Sequence, residues 1–353
     1  MRILAIDVGT GTQDILLYDT EKEVENCLVM VMPSPTVIIA GKIKEAGKKG
    51  RNIFLKGDVM GGGPSVRAIR SHMEMGYKVY STKEAALTIK DDLERVRSMG
   101  VIIVDDNNTE NLPDTEEIIL QDIDLEAMDK ALGSFGIRTP EKIAVAVQDH
   151  GNSPNVSNRI FRFRIFERFI DNGGDFSQFA YSGNKIPEEF TRMAAVSRTL
   201  SGKDTVIMDT GPAAIFGALL DPEAAQPSIV VNIGNGHTLG AIVDKDRIVA
   251  LFEHHTSALD GIKLQKFIRD FASGKLSFDE VFNDGGHGCY IKDTPGTEGI
   301  RSVMVTGPKR ALLQEMDTKD RDVELWEKLH FAAPFGNMML SGCYGLLTTD
   351  IRK

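Results

Sequence analysis

Cysteine is scarce: three in 353 residues, at Cys27, Cys289 and Cys343, far apart in the chain. No Cys-x-x-x-Cys-x-x-Cys run exists, so an iron–sulfur cluster held by three closely spaced thiolates is excluded, and scattered thiols of this kind are expected in a reducing cytoplasm. Positive charge is in deficit, with 41 Lys and Arg against 51 Asp and Glu. The resulting net charge of −10 argues against general nucleic-acid binding, which needs clustered cations for the phosphates. Long apolar runs are missing too. No stretch approaches the roughly 20 residues that span a bilayer, and Met1-Arg2 leads straight into a strand, so neither a membrane helix nor a signal peptide is expected. With 42% hydrophobic and 26% charged residues, the chain can bury a sizeable core and is long enough for two domains.

What is present begins at the N-terminus. Ile3 to Asp19 reads as an apolar run, the turn Gly9-Thr10-Gly11-Thr12 and a second apolar run, the pattern of a β-hairpin. Gly9 and Gly11 permit positive φ and close backbone approach. The turn's N–H groups and the Thr10 and Thr12 hydroxyls can therefore cradle a phosphate while Asp7 holds a cation through water. Ser228 to Asp244 repeats the plan with Gly234, Asn235, Gly236 and Thr238, followed by a strand at Arg247 to Phe252. Two such units in one chain imply an internal duplication with a nucleotide between its halves.

In these residues the sequence resembles the superfamily of sugar kinases, actin and heat-shock ATPases, through Asp7, Gly9, Thr10 and Thr12 in the pattern Asp-x-Gly-Thr-x-Thr. The resemblance implies an α/β fold of two RNase-H-like, actin-like ATPase lobes that clamp ATP and Mg²⁺. The first lobe would cover residues 1–225 with an inserted α/β segment and the second 226–353, with Pro222 to Pro227 at the boundary. Asn232 stands where these ATPases carry an aspartate; it accepts a hydrogen bond from metal-bound water but brings no charge. Ser302 to Leu313 resembles their adenosine-contacting strand, turn and helix, with Gly307 in place and Pro308 where a second glycine would stand. Length and segment order also resemble a prokaryotic family labelled as a pyruvate formate-lyase activating enzyme, whose radical chemistry the three cysteines do not support.

Further along, short strands are expected at Cys27 to Met32, Thr36 to Ala40 and Ile53 to Lys56, with a helix or loop at Lys42 to Arg51. Gly57 to Ser65 before a helical pattern at Val66 to Met75 reads as an anion-binding nest or a plain strand-to-helix turn. Tyr77 to Asp106 reads as strand, helix and strand, with Val101 to Val104 a buried parallel strand. Asp105 and Asp106 either ligate a metal or form a solvated acidic turn. Asp114 to Asp129 is expected to be a solvated connection and helix.

The strand Lys142 to Val147 ends in Gln148, Asp149 and His150, and ligands sit at such carboxyl ends. The resemblance makes Asp149 the base on a substrate hydroxyl and Gln148 the residue that orients water, with His150 a lesser candidate. In the alternative, Asp149 caps the following turn. Asn158 to Ile170 reads as a helix with one buried face and solvated arginines, Arg159, Arg162, Arg164 and Arg168. Thr205 to Met208 feeds an Ala-rich helix, with Asp209 and Gly211 where a substrate or phosphate can be met.

Glu253 to Leu259 is expected to open a helical region, and Asp284 to Cys289 a glycine-rich loop. His254, His255, His287 and Cys289 are candidates for zinc or iron, provided that they converge. In Phe331 to Leu347, Gly336, Gly342 and Gly345 allow close packing, and Met338, Met339 and Leu340 read as core. The leading expectation is an ATP-binding phosphotransferase or ATPase of the sugar kinase and actin type. The alternatives are a non-catalytic nucleotide- or ligand-binding regulatory protein and an ATP-driven activator of another enzyme. No residue specifies the acceptor, small molecule or protein, and a second copy of the chain is an open alternative as partner.

Overall fold

The apolar runs on either side of the first glycine turn form β1 (Arg2–Val8) and β2 (Thr12–Asp19), antiparallel to each other, with β3 (Leu28–Pro33) beside β2. Both faces of β1 are covered, which is why it reads as an unbroken apolar run instead of an alternating one. This computed structural model describes the chain except for residues 106–111, 154–155, 184, 315–322 and 352–353. Asp106, Asn107 and Asn108 of the acidic turn therefore lie outside the described residues, while Asp105 is exposed and 3.4 Å from Lys83.

An inserted segment follows, built on the strands β4 (Asn52–Gly57), β5 (Val79–Ser81), β6 (Ile102–Ile103) and β7 (Thr115–Leu120). They form their own parallel sheet in the order β6-β5-β4-β7. The chain then returns to the first sheet with β8 (Lys142–Val147), β9 (Ala180–Ser182) and β10 (Asp204–Met208), giving the order β3-β2-β1-β8-β10-β9.

The last third builds β11 (Ser228–Ile233), β12 (His237–Asp244), β13 (Arg247–His255), β14 (Gly288–Ile291), β15 (Ser302–Thr306) and β16 (Leu329–Phe331). Their order is β14-β13-β12-β11-β15-β16. Five strands of each large sheet correspond one to one, β3-β2-β1-β8-β10 to β13-β12-β11-β15-β16, with only the second strand antiparallel to its parallel neighbours. That is the RNase-H-like arrangement twice over, so the molecule is the two-lobed, actin-like ATPase fold that the hairpins implied.

Four local expectations are corrected. Thr36 to Ala40 is helical, inside Pro35–Lys48, where Ile39, Ile43 and Ala46 are buried at helical spacing; five β-branched and apolar residues are too short a window to tell the two periods apart. Within Asp114 to Asp129 lies β7, whose Ile118 and Leu120 are buried while Glu117 and Ile119 face out. Its acidic flanks hid that alternation. β6 is a two-residue edge strand with Ile102 exposed, not a buried one. Glu253 to His255 continue β13 instead of opening a helix, because β12 and β14 pair with it on both sides.

The helix Ser341–Leu346 crosses back to the first lobe, so Leu340, Cys343, Tyr344, Leu346 and Leu347 join the core formed around β1 and β8. The crossing partner is the helix Thr210–Ala218. At the contact a Cβ on Gly217 would lie 1.7 Å from the Ser341 carbonyl oxygen, and one on Gly345 1.7 Å from that of Ala213. Backbone meets backbone there, with nothing flexible to yield. Gly217→Ala is expected to cost about 1–3 kcal/mol, read as a lower urea midpoint at unchanged slope. Gly336 differs, since a Cβ there meets nothing. Among the described residues no helix is long and apolar enough to cross a membrane.

Candidate functional site

The two glycine turns are equivalent in detail. Gly9 N–H donates to the Thr12 carbonyl at 2.9 Å, and Gly234 N–H donates to the His237 carbonyl at 2.9 Å. They also face each other across one cleft: a Cβ on Gly11 would sit 3.0 Å from Asn235 Nδ2, and one on Gly236 3.4 Å from Thr10 Oγ1. The cleft holds about 800 Å³ of space open to solvent. Asp7, Thr12, Asp14 and Gln148 line it from the first lobe, and Asn232, His237 and Gly307 from the second.

Ser34, at the start of the helix Pro35–Lys48, fastens the first turn, its Oγ–H donating to the Thr10 carbonyl at 2.9 Å and its N–H to that of Gly11 at 3.1 Å. Gly307 has φ +95°, and a Cβ on it would lie 2.5 Å from the Ile233 carbonyl oxygen and 2.6 Å from Asn232 Oδ1. Only glycine fits between those atoms. Met338 and Met339 border the cleft and are half-buried, so of the three residues read as core only Leu340 is.

Asp7 and Asp14 stand directly opposite one another in the β1–β2 register. Burial raises the Asp7 carboxyl to about 6, with the Asp209 charge adding to it and a 2.6 Å hydrogen bond from Thr210 opposing it. Burial and the Asp7 charge raise Asp14 to about 7. Asp14 Oδ1 is buried and has no hydrogen-bond partner. Two facing carboxylates, one with an orphaned oxygen, fit a divalent cation. In the second hairpin the matching pair is Asn232 opposite Leu239, so all of that charge lies on the first.

Residues 60–312 match a family described as "Putative pyruvate format-lyase activating enzyme (DUF1786)". The chain belongs to that family. No curated protein sequence matches it. Among solved structures it is similar to the ethanolamine utilization protein EutJ from Carboxydothermus hydrogenoformans, at 12% identity over 98% of this chain and 89% of that one, with a TM-score of 0.34. It is also similar to a PilM–PilN type IV pilus biogenesis complex, at 11% identity over 99% of each chain and a TM-score of 0.40. For the ROK hexokinase from Thermus thermophilus the values are 11%, 100% and 99%, and 0.34. Likenesses this distant carry no argument, and the strand order is what identifies the fold. The family's activating-enzyme description gains nothing from the cysteines, all three of which are buried and unpaired in separate places.

Gln148 borders the cleft at the carboxyl end of β8, its Nε2 donating to Glu253 Oε1 at 3.2 Å. Asp149 does not face the cleft as a free base. Its carboxylate accepts from Gly151 N–H, and from Arg192 and Met193 N–H at the start of the helix Thr191–Thr199, each at 2.9 Å. These contacts are those of a turn cap, and the same residue borders a second, wider cavity beyond Thr10. Thr238 is likewise turned away, fully buried with its hydroxyl 3.0 Å from Thr256 Oγ1. The counterpart of Thr12 is His237, one residue earlier, and a shift of one along a strand changes the face.

Arg162 is the residue the sequence reading missed. It is buried, donating to Asp209 (2.8 and 3.1 Å), to Glu253 (2.6 and 3.0 Å) and to the Asp149 carbonyl (2.8 Å). Burial alone would raise Glu253, but Arg162 and His287 together hold it well below the ordinary value. Asp209 is thereby fixed in the wall, where it also caps the helix Thr210–Ala218 through Gly211 N–H at 3.0 Å. The available signal was phase: Arg162 falls on the stripe of Phe166, Phe169 and Ile170, whereas Arg164 and Arg168 are exposed.

The metal set expected from sequence does not converge. Cys289 is buried in the second lobe's own core, and His254 packs on Phe267 with its Nε2 3.0 Å from Asp284. His287 and His255 do meet, but with His237 and His150.

Proposed function

We propose that the chain binds ATP with Mg²⁺ between its lobes and either hydrolyses it or passes its terminal phosphate to an acceptor. The observation that carries this reading is the opposition of two equivalent glycine turns across one cleft, with a buried carboxylate pair on one of them. Asp7 and Asp14 then hold the metal, while the N–H groups of Gly9 to Thr12 and Gly234 to His237 take the phosphates. Gly307, Pro308, Met338 and Met339 border the nucleoside, and Gln148 orients the nucleophile. Positioning and charge neutralisation are most of what phosphoryl transfer asks of a protein. The acceptor enters from a wider cavity on the other side of Thr10 and Gly236, of about 1370 Å³ and bordered by Gly61 to Gly63 and Arg192. The division into lobes at residues 1–225 and 226–353 and a cytoplasmic setting belong to the same proposal.

A non-catalytic binding module is favoured by two observations, the Asn232 and Leu239 pair and the engagement of Asp149 in structure. Thermal unfolding with ATP or ADP and Mg²⁺ is the first test. The native protein is expected to melt higher by mass action, and Asp7→Ala to lose most of the gain; no shift at saturating nucleotide would end the nucleotide reading. Turnover separates the two classes. Gln148→Ala is expected to slow ATP consumption about 10²-fold at nearly unchanged affinity. Nucleotide binding with neither hydrolysis nor phosphorylation of any component of a metabolite pool would leave the binding module.

A further inference from the structure

Four of the chain's seven histidines gather where the lobes meet. His150 comes from the loop after β8, His237 opens β12 next to the second glycine turn, and His287 precedes β14. One nitrogen from each of these three lies within 4.8 Å of the other two. His255, at the end of β13, packs its ring 4.8 Å from that of His237 and 4.9 Å from that of His287. Glu253 Oε2 sits 2.7 Å from His287 Nδ1, which fixes that ring's orientation and leaves its other nitrogen out of that contact.

We propose that His150, His237 and His287 form a transition-metal site, distinct from the carboxylate pair of the first hairpin, that takes a zinc-like divalent ion through three imidazoles. Three imidazole nitrogens with a carboxylate behind one of them are the donor set such an ion selects, whereas Mg²⁺ selects oxygen. Donors on one ion at 2.0–2.1 Å lie about 3.3 Å apart, so nitrogens now up to 4.8 Å apart close by up to about 1.5 Å on binding. His150 and His237 border the wide cavity, as does His255. A fourth coordination position toward that cavity takes water or an oxygen of whatever occupies it. Because His150 belongs to the first lobe and the other two to the second, the ion also ties the lobes together.

The site stands whether or not the cleft binds nucleotide, so it is tested without nucleotide. Metal-free protein titrated with Zn²⁺ or Co²⁺ is expected to take up one equivalent, and X-ray absorption of the Zn²⁺ form to show at least three nitrogen neighbours at about 2.0–2.1 Å. His150→Ala, His237→Ala and His287→Ala are each expected to weaken binding at least 10²-fold, and His330→Ala, at a half-buried histidine outside the group, to leave it unchanged. Circular dichroism of the metal-free variants separates lost ligands from lost folding, and the absorption spectrum of the native protein needs no variant. An oxygen-only shell, the absence of stoichiometric uptake, or loss of the ion in Asp7→Ala but not in the histidine variants would each overturn the proposal.

Discussion

Arg162→Met is expected to destabilise the protein by about 3–5 kcal/mol, because it strands two buried carboxylates, Asp209 and Glu253, without their cation. Against a typical total of about 5–15 kcal/mol this is a large share. The pH dependence identifies the cause. In the native protein Glu253 is held below its ordinary value near 4.5, so its contribution is complete above that pH and is lost only as pH falls further. Without Arg162, burial dominates, the folded state prefers the protonated acid, and stability declines as pH rises. Urea unfolding at pH 5 and pH 8 is therefore expected to show a larger loss at pH 8 for the variant than for the native protein, whose own decline comes from Asp7 and Asp14. A variant whose decline from pH 5 to pH 8 matches that of the native protein would show that Glu253 does not depend on Arg162. Adding Glu253→Gln and Asp209→Asn to Arg162→Met is expected to recover part of the loss.

The second large effect runs the other way. An acid whose pKa rises on folding keeps its proton in the native state where the unfolded chain has lost it, so it subtracts stability as pH climbs and goes on subtracting above. For Asp14 that window runs from 3.8 to about 7. Three units at about 1.4 kcal/mol each make the penalty on the order of 4 kcal/mol at pH 8. Metal-free Asp14→Asn is accordingly expected to melt higher than the native protein at pH 8 and no higher at pH 4. Mg²⁺ is expected to raise the native melting temperature at pH 8 far more than at pH 5, and Asp14→Asn to abolish that difference. Equal melting temperatures for variant and native protein at pH 8 would mean that the pair is not strained.

The lobes were legible because β1–β2 and β11–β12 carry their turns as local glycine patterns, and buried parallel strands such as β8 and β10 announce themselves as apolar runs. Hairpin arithmetic would also have found Asp14: Asp7 and Asp14 are equidistant from the turn, so pairing across it was implied by position. Arg162 is harder. A helical arginine in phase with phenylalanines says that the face is buried, but its partners Asp209 and Glu253 lie 47 and 91 residues away and converge only through the tertiary fold. The histidines show the same limit. Adjacent His254 and His255 drew the eye, yet alternation along β13 sends one into the second lobe's core and the other toward the cleft, where it meets His237 and His287.

The helix that crosses back has a consequence for the order of events during synthesis. Gly342 lies so close to Asp7 that a Cβ there would be 1.9 Å from Asp7 Oδ2, and the residues around it complete the core of the first lobe. Strand β1 leaves the ribosome more than 300 positions ahead of the wall behind its carboxylate. The first lobe cannot mature ahead of the second, as domains made in sequence ordinarily do. Until the return helix docks, the nascent lobe exposes the apolar ground meant for Cys343, Tyr344 and Leu346, and the cleft has no floor.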